Sequence, residues 1–142
     1  MLELTMFRLS GDGEIGTIGE HKAMTGRTWS RLKGSLVNGA GLAMNTVDAI
    51  CDLGGACANF LDTGGKATAE TVKKSFDLVL RDTRVKVVFV NIFGGLTRCD
   101  MIADGIMLAY KELNISLPVV VRLRGTLETE GQRMVRDFAS CQ

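Results

Sequence analysis

The chain has 142 residues, 46% of them hydrophobic and 23% charged, which suits one globular domain with a real core and excludes disordered, collagenous, coiled-coil and low-complexity classes. Seventeen basic side chains against sixteen acidic ones leave a net charge of +1, so there is no electrostatic footprint for nucleic acid or an anionic membrane, and no apolar stretch approaches the ~20 residues of a membrane span. Seventeen glycines and one proline mark a chain rich in tight turns.

Residues 1–35 carry Gly11, Gly13, Gly16, Gly19 and Gly26 among polar residues with no lasting period, and are expected to be an irregular or inserted segment with at best a short strand or two. Glu3 and Arg8 break any secretory-type apolar run, so Cys51, Cys57, Cys99 and Cys141 are expected to be reduced thiols of an intracellular protein. No C-x-x-C pair occurs and His21 is the sole histidine, so neither a zinc site nor a Cys/His catalytic pair is expected, and His21 reads as a solvated side chain.

From residue 36 to 142 short β-branched runs alternate with stretches of helical period, the signature of βαβ units and a parallel sheet. Strands are predicted at 36–38, 58–61, 85–92 and 117–123, the last two as apolar runs covered on both faces. Helices are predicted at 40–53, 68–81, 100–113 and 128–138. Pro118 falls at the start of the fourth strand, where its missing N–H is tolerated.

Each predicted strand runs into a glycine-bearing turn before a helix: Asn38-Gly39-Ala40-Gly41, Asp62-Thr63-Gly64-Gly65, Phe93-Gly94-Gly95 and Arg124-Gly125-Thr126. All four would lie along the carboxyl edge of the sheet, where ligands of open α/β folds bind. Glycine there admits positive φ and close approach, and the following helix offers unpaired N–H groups, so an anion site for carboxylate or phosphate is expected. Gly39-x-Gly41 lacks the third glycine of a dinucleotide fingerprint and Gly65-Lys66-Ala67 misses a P-loop, so neither NAD nor ATP is expected on these turns.

The stretches LVNGAGLAM (36–44), GGACANFLDTGGKAT (54–68), VNIFGGLTRCDMIADGI (90–106) and SLPVVVRLRGT (116–126) resemble, in order and spacing, the carboxyl-terminal CoA-ligase domain of succinyl-CoA synthetase β subunits. The resemblance implies a flavodoxin-like α/β domain: a parallel sheet with flanking helices, incomplete at the carboxyl-terminal end. It also implies a place in an αβ heterodimer that interconverts succinate, CoA and a nucleoside triphosphate with succinyl-CoA, nucleoside diphosphate and phosphate in the tricarboxylic acid cycle. By matching motif, Asn38, Gly95, Leu96 and Thr97 would bind succinate. Gly94 and Gly95 would open a helix facing the phosphohistidine, which belongs to the α subunit. Arg98, next in line, reads as a surface ion pair.

The family's nucleotide and Mg²⁺ are held by an ATP-grasp domain with no counterpart here, so no cofactor is expected on this segment. A final strand and helix expected after Phe138 are also lacking, and residues 17–35 intervene between an LDGxIG-like stretch (9–16) and VNGAG. A fragment or an aberrant gene model is therefore expected, inactive alone, from the mitochondrial matrix or from bacterial cytoplasm. Arg124 stands where the family usually has an acid or glutamine, and Leu127 where it has asparagine. Two other readings stay open: a non-catalytic subunit-interaction module, and a fragment of a malate- or citrate-using CoA ligase.

Overall fold

The runs Val-Val-Phe-Val-Asn-Ile-Phe-Gly and Val-Val-Val-Arg-Leu-Arg-Gly are too apolar for a half-solvated sheet, and the chain buries most of each between two helical layers. The computed structural model describes residues 6–9, 16–18 and 32–141. In chain order they form β1 (Met6–Leu9), β2 (Gly16–Ile18), β3 (Leu32–Val37), α1 (Ala40–Asp52), β4 (Ala56–Cys57), α2 (Ala69–Leu80), β5 (Val87–Gly94), α3 (Cys99–Leu113), β6 (Val119–Gly125) and α4 (Glu128–Ser140). The sheet order is β2-β1-β6-β5-β3-β4. Strands β4, β3, β5 and β6 are mutually parallel, while β1 joins β6 and β2 joins β1 in antiparallel fashion.

On one face α2, α3 and α4 pack Val72, Phe76, Ile102, Ile106 and Val135 against Leu36, Val90, Ile92, Val121 and Leu123. On the other face α1 sets Ile50 against Val87, Phe89 and Val120. The helices approach closely where a side chain is missing: a Cβ on Gly105 of α3 would lie 2.6 Å from Val72 Cβ of α2, and one on Gly131 of α4 would lie 2.6 Å from the Cys99 carbonyl oxygen.

The four predicted helices are present within two residues at each end. The strands correct the sequence reading: β5 and β6 each run two residues later than predicted, so that Gly94 and Gly125 end strands and Pro118 precedes β6, and the other two depart further. β3 begins at Leu32 rather than at 36 and stops at Val37, leaving Asn38 beyond its end. The strand expected at 58–61 is instead the two-residue β4, followed by a bulged stretch that still tracks β3. The Ala58 N–H donates to the Lys33 carbonyl (2.8 Å), and further along the Val37 N–H donates to the Leu61 carbonyl (3.2 Å) and the Thr63 N–H to the Val37 carbonyl (2.8 Å). Between them the Asn59 side chain stands in for backbone: its Oδ1 accepts from the Ser35 N–H (2.9 Å) and its Nδ2 donates to the Ser35 carbonyl (2.7 Å). An amide side chain reproduces the backbone pairing of a strand without β dihedrals, and propensity alone does not reveal it. His21 and Trp29 lie outside the described residues.

Leu127 precedes α4 with φ 57°, ψ 34° and makes no side-chain cap. A branched hydrophobe in the left-handed region is strained, whereas asparagine tolerates it and can also accept from a first-turn N–H. Replacing Leu127 by Asn is expected to raise stability by about 1 kcal/mol, read by urea unfolding, because the side chain is 46% exposed and little packing is lost.

Candidate functional site

The chain leaves β3 through α1 on one face, reaches β4, and returns through α2 on the other face to β5, on the opposite side of β3. The carboxyl ends of β3 and β5 therefore flank the point where the winding reverses, the usual ligand crevice of an open α/β sheet. Asn38 bridges it: Nδ2 donates to the Phe93 carbonyl (3.1 Å), and the Phe93 N–H donates to Oδ1 (2.9 Å). This adds one more rung to the β3–β5 ladder and leaves a single N–H of the Asn38 amide for any ligand.

The four glycine turns share this edge, and in three of them a carboxylate of the chain itself takes a glycine amide. Asp62 Oδ1 accepts from the N–H of Gly39, at the start of α1, and from that of Gly64 (2.7 Å), serving the first and second turns together. Glu128 Oε2 accepts from the Gly125 N–H (2.7 Å) in the fourth. At the third, between β5 and α3, the N–H groups of Gly95, Leu96, Thr97 and Arg98 meet no acceptor within the chain. Asp100 accepts from the Met101 N–H one step into α3, and Arg98 pairs with Asp100 as the surface ion pair expected of it, reducing the acid's opposition to an incoming anion. Hydrogen bonding to Arg98 holds the Asp100 carboxyl below the usual carboxylate range.

This third turn is rigidly seated. A Cβ on Gly125, whose φ is 102°, would lie 2.0 Å from the Gly94 carbonyl oxygen, so only glycine lets β6 approach so closely. Thr126 then reaches across: its N–H donates to the Gly94 carbonyl (3.1 Å), its Oγ1 donates to the Gly95 carbonyl (2.7 Å), and its carbonyl accepts from the Cys99 N–H (2.9 Å). Of the residues singled out from sequence, Asn38, Gly94 and Thr97 are buried, while Gly95 and Leu96 are exposed, Leu96 at 82%. Thr97 is 2% exposed and its Oγ1 has no hydrogen-bond partner, the unsatisfied buried side-chain atom among the described residues. A buried hydroxyl without a partner carries a desolvation cost of about 1–3 kcal/mol, which a ligand oxygen can relieve.

Several polar residues at this edge and deeper in the sheet escape sequence reasoning. Asp62 and Glu128 act through turn geometry that spacing does not encode. Asn91 Nδ2 donates to Thr46 Oγ1 (2.9 Å) and accepts at Oδ1 from Arg122 (2.8 Å), a cross-element network on the α1 face whose members look unrelated in sequence. Lys33 is fully buried at the amino end of β3, beside Cys57, and burial lowers its pKa. Among the described residues no three His, Cys, Asp or Glu side chains gather to hold a metal ion, and no helix is long and apolar enough to cross a membrane.

Cys99 is buried under the turn with Sγ 3.4 Å from the Arg124 carbonyl oxygen, and burial, helped by Glu128 and Asp100, pushes its thiol up to about 11. At pH 8 only about one Cys99 in a thousand is thiolate, and the reactive form appears only as pH rises toward 11. With a disulfide reagent at pH 8, exposed Cys51 and Cys141 are expected to react at once and Cys99 only on unfolding; prompt labelling of Cys99 in the native chain contradicts this packing.

Residues 36–139 match the CoA-ligase family. Curated relatives named succinate–CoA ligase [ADP-forming] subunit beta include those of Sulfurimonas denitrificans, 56% identical over 104 residues, and Acidithiobacillus ferrooxidans, 57% over 104. That of Campylobacter curvus is 58% identical over 106 residues. Each alignment covers 73–75% of this chain but 27% of the relative, so the chain spans about a quarter of the length of the curated relatives it matches. The chain belongs to the CoA-ligase family.

Proposed function

We propose that the chain is the CoA-ligase portion of a succinate–CoA ligase β subunit and supplies the succinate-side half of a site completed by an α subunit. The observation that carries this reading is the β5–α3 turn, where four successive amides meet no acceptor of the chain and the buried unpartnered Thr97 hydroxyl lies beside them. One succinate carboxylate is held by the N–H groups of Gly95, Leu96 and Thr97, by Thr97 Oγ1, and by the remaining N–H of Asn38. Neutral donors fixed by backbone geometry bind the anion without burying a compensating lysine, and the α3 dipole adds a favourable term for carboxylate or for a phosphoryl group brought by the partner.

In the whole ligase, thioester formation from succinate and CoA is driven by nucleoside triphosphate, and the names of the relatives favour ADP as the product nucleotide. In this reading nucleotide and Mg²⁺ belong to an ATP-grasp portion of such a ligase, and residues 36–139 contribute the succinate side. The tricarboxylic acid cycle is the setting. The compartment is the cytoplasm for a bacterial source, which the bacterial origin of the relatives favours, or the matrix for a mitochondrial one.

A second reading, a docking module without ligand, draws on Phe93 and Leu96, which are 60% and 82% exposed beside the turn. Calorimetric titration of the chain with a cognate α subunit and succinate separates the two. Thr97→Val keeps the shape and removes the hydroxyl, so it is expected to weaken succinate binding by about tenfold while leaving thermal stability unchanged or raised. Complex formation with no saturable succinate binding leaves only the docking reading, and unchanged succinate affinity in Thr97→Val removes this turn as the carboxylate site.

A further inference from the structure

We propose that Arg122 forms a second oxyanion site, distinct from the β5–α3 turn, that takes a small dissolved carboxylate or phosphate on the α1 face of the sheet. Along β6 the side chains of Val119, Val121 and Leu123 enter the core under α2, α3 and α4, while Val120 packs beneath α1, so the period-two alternation puts Arg122 and Arg124 on the α1 face. Asn91 and Arg122 are register partners, as are Phe93 and Arg124 nearer the edge, which sets Arg122 about 7 Å along the strand from Arg124 and about 10 Å from Gly125 at the strand's end.

The guanidinium is partly buried and makes one hydrogen bond, to Asn91 Oδ1 (2.8 Å). Its brace is rigid: Asn91 Nδ2 is held by Thr46 Oγ1 (2.9 Å), and Thr46 Oγ1 is anchored on the Leu42 carbonyl (2.7 Å). Arg81, Arg84, Arg98, Arg124 and Arg133 each pair with a carboxylate, whereas Arg122 has only a neutral amide. Burial, and then the like charge of Arg124, lowers the Arg122 pKa, with the Glu128 carboxylate acting in the opposite sense. A cation that is desolvated, repelled by its neighbour and left with uncommitted N–H donors gains from an oxyanion that accepts its planar fork in bidentate fashion. Arg124, only loosely paired with Glu128 at 3.4 Å, lies one pleat along the same face and adds a second positive charge.

The test is thermal melting of the full chain in acetate and in phosphate, with chloride as reference and ionic strength held constant. A saturable rise in Tm of about 3–8 °C is expected in at least one of the two oxyanions. Response to acetate alone identifies a planar carboxylate as the preferred ligand, and response to phosphate alone a tetrahedral one. Arg122→Gln is expected to abolish the rise, Arg122→Lys to reduce it by at least half because the fork is lost, and Thr97→Val to leave it intact. The proposal is overturned if the wild-type chain shows no saturable rise, if Arg122→Gln melts lower but keeps the full anion-dependent rise, as a purely structural strut requires, or if Thr97→Val removes it. Should Arg122→Gln fail to fold, Arg122→Lys decides: an undiminished rise overturns the site. Loss of succinate affinity at Thr97 and loss of the anion effect at Arg122 are separate readouts, so either site can fail alone.

Discussion

The contact between the backbones of Gly94 and Gly125 is the constraint from which the edge is built. Because neither residue has a side chain in the way, the carboxyl ends of β5 and β6 meet at a separation no other residue at 125 allows, and Thr126 bonds both glycines of the neighbouring turn while accepting from the first N–H of α3. The carbonyls of Gly94 and Gly95 are thereby committed to the neighbouring turn, while the amides of residues 95–98 are left without acceptors. On the far side Asn38 ties β3 to Phe93 by two hydrogen bonds, so the turn is clamped from both neighbouring strands.

Electrostatics then sorts the four turns. A backbone N–H to carboxylate bond contributes about 1.5–3 kcal/mol, and a carboxylate already tethered to the chain pays no translational entropy to form it. Asp62 and Glu128 therefore outcompete any dissolved acid at ordinary concentration for the amides of Gly39, Gly64 and Gly125. Selectivity along an edge of similar turns comes from which turns the chain has already filled. The glycine pattern by itself does not distinguish them.

The layout of the sheet is legible in the sequence because two of its strands are nearly continuous apolar runs and two of its helices carry a clear 3.6-residue stripe, Val72, Phe76, Val79 and Leu80 in one and Ile102, Ile106, Ala109 and Tyr110 in the other. The placement of turn glycines after strands likewise foretells a common edge. What escapes is amide side-chain chemistry. Asn59 and Asn38 each pair with a neighbouring backbone as a strand would, which hides one strand and extends another pairing by a rung, and no periodicity records it. Which turn amides the chain's own carboxylates take is hidden for the same reason: Asp62 and Glu128 find them through tertiary geometry. Leu127 carries its strain in φ, which composition does not show.

Amide chemical shifts of the uniformly ¹⁵N-labelled chain in complex with an α subunit, followed through a succinate titration, report most directly on the amides of the β5–α3 turn. Saturable shifts centred on Gly95, Leu96 and Thr97, with Gly39, Gly64 and Gly125 unmoved, are expected if Asp62 and Glu128 close the other turns. Shifts centred on Gly39 or Gly125, or none at residues 95–97 at saturating succinate, contradict it.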